Sequence, residues 1–286
     1  MGLDDPRLLP SGKLDLRLSR LLSAYNKADP PPSRVKPIPL PIIRHTCDLQ
    51  RQSTHPLGPT TADMLTLGFF YLLRPGEYAH TTNPDSAPFR LQDVHLLVGC
   101  RRLAHMSCPY HELYAANFAC LEFTTQKNGV RGELIGLGRS GNMAFCPVTA
   151  VINRVVHLRQ HRAQPNTPLY AYFHHTWCSV TTTVLTSLLR HTVTILGPTF
   201  GLSPADISIR SLRSSGAMAL LCGHVDTDRI RLLGRWRSDE MLRYLHVQAF
   251  PVVANIASTM LQHGNFTLIP NNPHPTQRGH QGAVAH

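Results

Sequence analysis

Apolar and polar positions along this chain follow two periods, a helical one over most of its length and an alternating one near the middle. Leu14, Leu18, Leu21 and Leu22 share one face at helical spacing, which predicts a short amphipathic helix over 11–26. Asp29-Pro30-Pro31-Pro32 follows, then Pro37, Pro39 and Pro41, a proline density that predicts an extended strap rather than a helix. From Thr60, Thr-Thr-Ala-Asp reads as a cap ahead of the run MLTLGFFYLL, predicting a buried helix that ends near Arg74-Pro75-Gly76-Glu77. Residues 90–98 and 119–137 alternate well enough for strands, the second stretch folding back at Asn128-Gly129 with Lys127 at the tip of the hairpin. Beyond Pro147, VTAVINRVVHLRQHR and TTTVLTSLLRHTVTIL read as amphipathic helices. Four more helices are predicted, over 212–222, 226–233, 238–245 and 250–261. The tail after His263, with Pro270, Pro273 and Pro275 among Asn, Gln and Gly, is expected to be disordered. The expected fold class is mainly α with a small antiparallel β-sheet, without internal repeats.

Composition bounds the function. At 286 residues, 42% hydrophobic and 16% charged, the chain can bury a full core and reads as one main domain with appendages. A formal charge of +11 points to a polyanionic partner, because arginines gain affinity by displacing counterions from phosphates. Charge alone does not separate DNA from RNA or from a membrane surface. No run of eighteen apolar residues exists, and Asp4 and Asp5 stand where a signal peptide needs a basic start, so a soluble, intracellular protein without a membrane partner is expected. The seven cysteines are odd in number and scattered, which argues against a disulfide framework. His105, Cys108 and His111, and separately His174, His175 and Cys178, offer zinc-type ligands without the spacing of a finger. Among seventeen histidines chance clustering is the simpler account, and no metal is expected.

Attack on a phosphodiester without a metal needs a side-chain nucleophile, cations around the non-bridging oxygens, and a proton donor for the leaving oxygen. Arg74, Lys127, Arg213, Arg235 and Tyr244 together supply all three. Their order and settings, in RPGE, QKNG, RSLRSSGAMALL and GRWRSDEMLRYLH, resemble the phage-integrase-like tyrosine recombinase family. The likeness is greatest to the tyrosine recombinases of eukaryotic mobile elements. It spans about 60–262 and is most specific in its last part, where Leu233-Gly234 and Arg235 precede Tyr244 at the family's spacing.

The resemblance implies an integrase-like catalytic domain over 60–263. Residues 1–59 would be a short helix and proline-rich linker left from a DNA-clamp region, and 264–286 a tail. It implies that Tyr244 is the nucleophile, that Arg74 and Arg213 clamp the scissile phosphate as bidentate forks, and that Glu77 steadies the site. Lys127, alone among the chain's residues after Lys36 in being a lysine, takes the general-acid role, which arginine performs badly because it keeps its proton. Arg235 occupies the position of a histidine or tryptophan donor; Trp236 beside it is the second choice for phosphate contact, or packs the core. Arg210 stands where the family has histidine or lysine; it binds phosphate but accepts no proton, so slowed cleavage or a domesticated copy is expected. The implied partner is double-stranded DNA, engaged by a homotetramer that exchanges a helix over 249–262, with no cofactor, and in the nucleus if the source is eukaryotic. The rival readings are a non-catalytic DNA-binding descendant of a recombinase and a purely helical scaffold.

Overall fold

The structure is a computed structural model and describes residues 15–16, 18–21, 35–84, 86–124 and 132–236. Lys127, the Asn128-Gly129 turn, Tyr244, the helices expected over 238–245 and 250–261, and the tail all lie outside the described residues.

One helix that is apolar nearly all round organises the fold, as a helix buried on every side must be. This is α2 (Leu57–Phe70), flanked by α1 (Leu40–Arg51), α5 (Pro147–Gln160) and α7 (Ser211–Cys222). Every residue of α2 from Thr60 to Phe69 is buried. Helix α3 (Pro75–Tyr78) follows it directly, and α4 (Tyr110–Ala115), α6 (Thr182–Leu196) and α8 (Thr227–Gly234) complete the described helices. A four-stranded antiparallel sheet of order β2-β1-β3-β4 lies beside them, from β1 (Val94–Val98), β2 (Arg101–Arg102), β3 (Phe118–Phe123) and β4 (Glu133–Gly138). Its register sets Val94 against Leu121 and Phe123 against Glu133. A separate hairpin joins β5 (Ala171–His174) and β6 (Thr176–Ser179). The described residues are thus mainly helical with a small antiparallel sheet, as the sequence predicts.

The differences have local causes. The proline-rich stretch is extended only over 35–39 among the described residues. Pro41 lies in the first turn of α1, where a missing N–H costs nothing, so a helix stands where a strap is expected. Ile38, Ile42, Ile43 and Cys47 of this region join the same core as the rest of the chain. The expected Thr60 cap is instead interior to α2, which starts three residues earlier after Pro56. The hydroxyls there serve the core: Thr66 Oγ1 donates to the Ala62 carbonyl at 2.8 Å. Residues 91–93 form a 3₁₀ turn before β1 rather than strand. The β5–β6 hairpin and α4 escape the sequence pattern altogether. The six-residue α4 is too short to show periodicity.

A buried cation fastens these layers. Arg154 of α5 donates from Nε to the Leu169 carbonyl at 2.9 Å, from Nη1 to Thr60 Oγ1 at 2.7 Å, and from Nη2 to the Ala171 carbonyl. Nearby, Asn153 Nδ2 donates to Asp63 Oδ1 at 3.1 Å. Burial pushes the Asp63 carboxyl up to about 6, against the pull of the Arg154 charge and the Asn153 hydrogen bond. The folded chain therefore holds this proton where the unfolded chain has lost it. The associated stability is full below about pH 4 and is lost as pH rises through 6. Between pH 4 and pH 7, wild type should lose about 2 kcal/mol relative to Asp63→Asn in denaturant titrations, and a gap that stays constant would contradict this.

Candidate active site

The C-terminal end of α2 is where three of the predicted cations, Arg74, Arg213 and Arg235, meet. The helix stops at Phe70, and Leu72 turns the chain in the left-handed region at φ 50°. A non-glycine residue there is strained by about 1 kcal/mol or more. The turn presents the carbonyls of Tyr71 and Leu72 toward α7 and α8, and Pro75 then opens α3 directly after Arg74. Of the two sequence readings of this proline, a break or a new helix start, the second holds, because α2 has already ended at Phe70, short of the expected end near Arg74.

Glu77 closes α3 back on itself. Its Oε2 accepts the Arg74 backbone N–H at 2.7 Å, and its Oε1 accepts the Arg74 Nη1 at 3.3 Å. The same carboxylate, from its Oε2, receives Arg235 Nη2 at 2.9 Å across 158 residues of chain. One anion therefore bridges two cations from opposite ends of the domain.

Arg235 arrives at the C-cap of α8 with φ 58°, a conformation that glycine usually supplies. Its side chain is only 2% exposed, while Glu77 is 11% and Arg74 31% exposed. Nη1 of Arg235 donates to the Tyr71 and Leu233 carbonyls, each at 3.3 Å. Its guanidinium lies over the Phe123 ring, 3.9 Å from the centroid. Burial lowers the pKa of Arg235 and nearby Arg74 adds to this, while Glu77 and Glu133 oppose it.

Arg213, on α7, is also buried. Nη1 donates to the Leu72 carbonyl at 2.5 Å and Nη2 to the Gly234 carbonyl. Its guanidinium stacks 4.2 Å from the centroid of Trp236. Two glycines permit this approach. A Cβ on Gly216 would lie 2.3 Å from both Leu72 Cδ2 and the Phe69 carbonyl oxygen, and one on Gly234 would lie 1.7 Å from the Trp236 ring. The Leu-Gly step thus lets Trp236 fold back onto Arg213. Of the two roles open to Trp236, core packing is the one the described geometry displays, with Leu72, Ala217 and Ile230 around it.

The structure thus brings together Arg74, Glu77, Arg213, Arg235 and Trp236 around the 71–74 turn. Arg210 lies just before α7, one turn ahead of Arg213, and is exposed. The other tyrosines near the site belong to the core: Tyr71 Oη donates to the Ala119 carbonyl at 2.7 Å and Tyr78 Oη to the Ile209 carbonyl at 3.1 Å. Burial raises both phenol pKa values. Phe123 escaped the sequence reading because a core aromatic on an alternating strand carries no mark of the cation above it. Among the described residues no cluster of three His, Cys, Asp or Glu side chains is placed to hold a metal ion. His105 instead directs Nε2 at the Leu91 carbonyl, 3.0 Å away.

No protein-family model matches the chain, and no curated protein matches it. Among solved structures it is similar to the XerH site-specific recombinase bound to difH substrate in a pre-cleavage complex. That likeness has 12% identity and a TM-score of 0.48, over 88% of this chain and 68% of the other. It is also similar to the Tn1549 transposon integrase in complex with transposon right end DNA, at 9% identity and a TM-score of 0.45, over 83% of this chain and 68% of that one. The same integrase with circular intermediate DNA gives 10% identity and a TM-score of 0.39, over 84% and 75%. Similarity at this level leaves chemistry and partner to be argued from this chain's own residues.

Removing the shared carboxylate should be costly. Glu77→Gln takes from the buried Arg235 the anion it donates to, and urea denaturation should register a loss of about 3 kcal/mol. A loss below about 1 kcal/mol would mean that the bridge is not structural.

Proposed function

We propose that this chain is the catalytic domain of a tyrosine recombinase that cuts and rejoins double-stranded DNA. By motif it resembles the recombinases of eukaryotic mobile elements, and in a eukaryotic source the nucleus is where it would act. The observation that carries the reading is the convergence of Arg74, Glu77, Arg213 and Arg235 on one turn, in the order the family motif requires. A solvated helix stop at R-P-G-E would need no such partner from residue 235.

In this reading the Tyr244 phenol oxygen attacks the scissile phosphorus, and the bond to the 5′ oxygen breaks, leaving a 3′-phosphotyrosyl link. Lys127 gives a proton to the departing 5′ oxygen, and reversal of the step on another strand completes rejoining. Arg74, a third exposed, faces phosphate most directly, and Arg210, on the surface three residues before Arg213, adds a second charge. Arg213 and Arg235 stabilise the pentacoordinate charge from deeper in the protein, where low dielectric strengthens their field. The reaction keeps the phosphodiester bond energy and needs no cofactor. A homotetramer on two duplexes would pair the cleavage events.

One observation favours the second reading, a DNA-binding descendant with little or no cleavage. Both Nη groups of Arg213 donate to backbone carbonyls, which holds the fork on protein rather than on a ligand. Arg210 adds to it, because an arginine accepts no proton from the phenol.

Incubation with nicked duplex followed by denaturing electrophoresis separates the two. The enzyme reading expects a protein–DNA adduct that survives denaturation and disappears in Tyr244→Phe. Salt-sensitive binding without any adduct would leave only the DNA-binding reading. Arg210→His, which restores a proton acceptor, should form adduct about tenfold faster or more, and an unchanged rate would remove Arg210 as the cause of slow chemistry.

A further inference from the structure

The Arg235 guanidinium is held by in-plane partners at its edges and by an aromatic ring at its face. The edges go to Glu77 and to the Tyr71 and Leu233 carbonyls. The face rests on Phe123, 3.9 Å from the ring centroid and itself almost fully buried. Edge contacts alone leave a planar cation free to tilt; a ring beneath it removes that freedom through the attraction of its negative face.

Phe123 is in turn fixed on two sides. Its carbonyl accepts the Gly132 N–H at 2.9 Å, closing the base of the β3–β4 ladder, where Phe123 pairs with Glu133. Phe89 meets its ring edge to face, with centroids 4.7 Å apart and an interplanar angle of 81°. Phe89 is itself tied to the site by its backbone: its N–H donates to the Glu77 carbonyl at 3.0 Å, and its carbonyl accepts the Leu169 N–H at 2.8 Å. A continuous path of contacts therefore runs from Phe89 through Phe123, Arg235 and Glu77 to Arg74, the most exposed of the three cations.

We infer that Phe123 is a positioning residue of this site: its ring face orients Arg235, which shares Glu77 with Arg74 and so holds the Arg74 fork toward phosphate. This rests on the proposed function, because it concerns how fast the arginine cluster works. Phe123 touches no reacting atom. Its influence passes through electrostatics at the ring face, which distinguishes it from a residue that merely fills space.

That distinction can be read directly. In the full chain, Phe123 is replaced site-specifically by mono-, di- and trifluorinated phenylalanines, which keep the ring's shape and progressively weaken its negative face. Single-turnover adduct formation on nicked duplex should slow with each fluorine, by about fivefold across the series. Phe123→Leu, apolar but ringless, should be as slow as the trifluorinated form or slower. A flat fluorine series in a chain whose unsubstituted form makes adduct would overturn the inference and leave the proposed function standing. An unsubstituted chain that makes no adduct would overturn the proposed function, and this inference with it.

Discussion

The architecture of the site depends on one carboxylate shared by two guanidiniums. A cation as buried as Arg235 is tolerated only with an anion and carbonyls close by, and Glu77 supplies the anion from a helix of four residues. That helix exists because Pro75 begins it with a φ already suited to the first turn, and because the Glu77 side chain returns to the Arg74 N–H. The short helix after α2 and the end of α8 are thereby joined through charge, while Arg213 joins α7 to the Leu72 and Gly234 carbonyls and Leu72, Ala217, Ile230 and Trp236 pack between the same elements. Two left-handed residues, Leu72 and Arg235, mark where the backbone bends to make this possible. Strain at two helix ends that face one site is what a pre-organised anion pocket would require.

How much of this could be read from sequence differs by kind of feature. Helices α5 and α6 were legible because apolar positions recur at helical spacing over two or more turns, and α2 because of its long apolar run. The sheet was legible at Val94–Val98, Phe118–Phe123 and Glu133–Gly138, where alternation is clear. Helix α1 was not, because proline at a first turn and proline in a strap look alike until the residues after it are seen to pack. The β5–β6 hairpin was hidden because four-residue strands carry too few positions for a period.

The site shows the same division. Arg74, Glu77, Arg213 and Arg235 were legible as a motif series, and the fold brings them to one turn. Their partners were not legible. That Leu72 and Gly234 would offer carbonyls to Arg213, or that Phe123 would lie under Arg235, depends on the mutual placement of elements distant in sequence. The burial of Arg213 and Arg235 also refines how the cations act. Arg74 and Arg210 have solvent on at least one side, whereas Arg213 and Arg235 are buried beneath the 71–74 turn.

The central claim is that these cations surround a common anion pocket into which the phenol at 244 points. A structure of the chain bound to nicked duplex tests it most directly. The account predicts a backbone phosphate at hydrogen-bond distance from the Arg74 guanidinium, with the Tyr244 oxygen in line behind its phosphorus. A phosphate seated away from the 71–74 turn, or a Tyr244 phenol packed in the core far from Arg74 and Arg213, would contradict it.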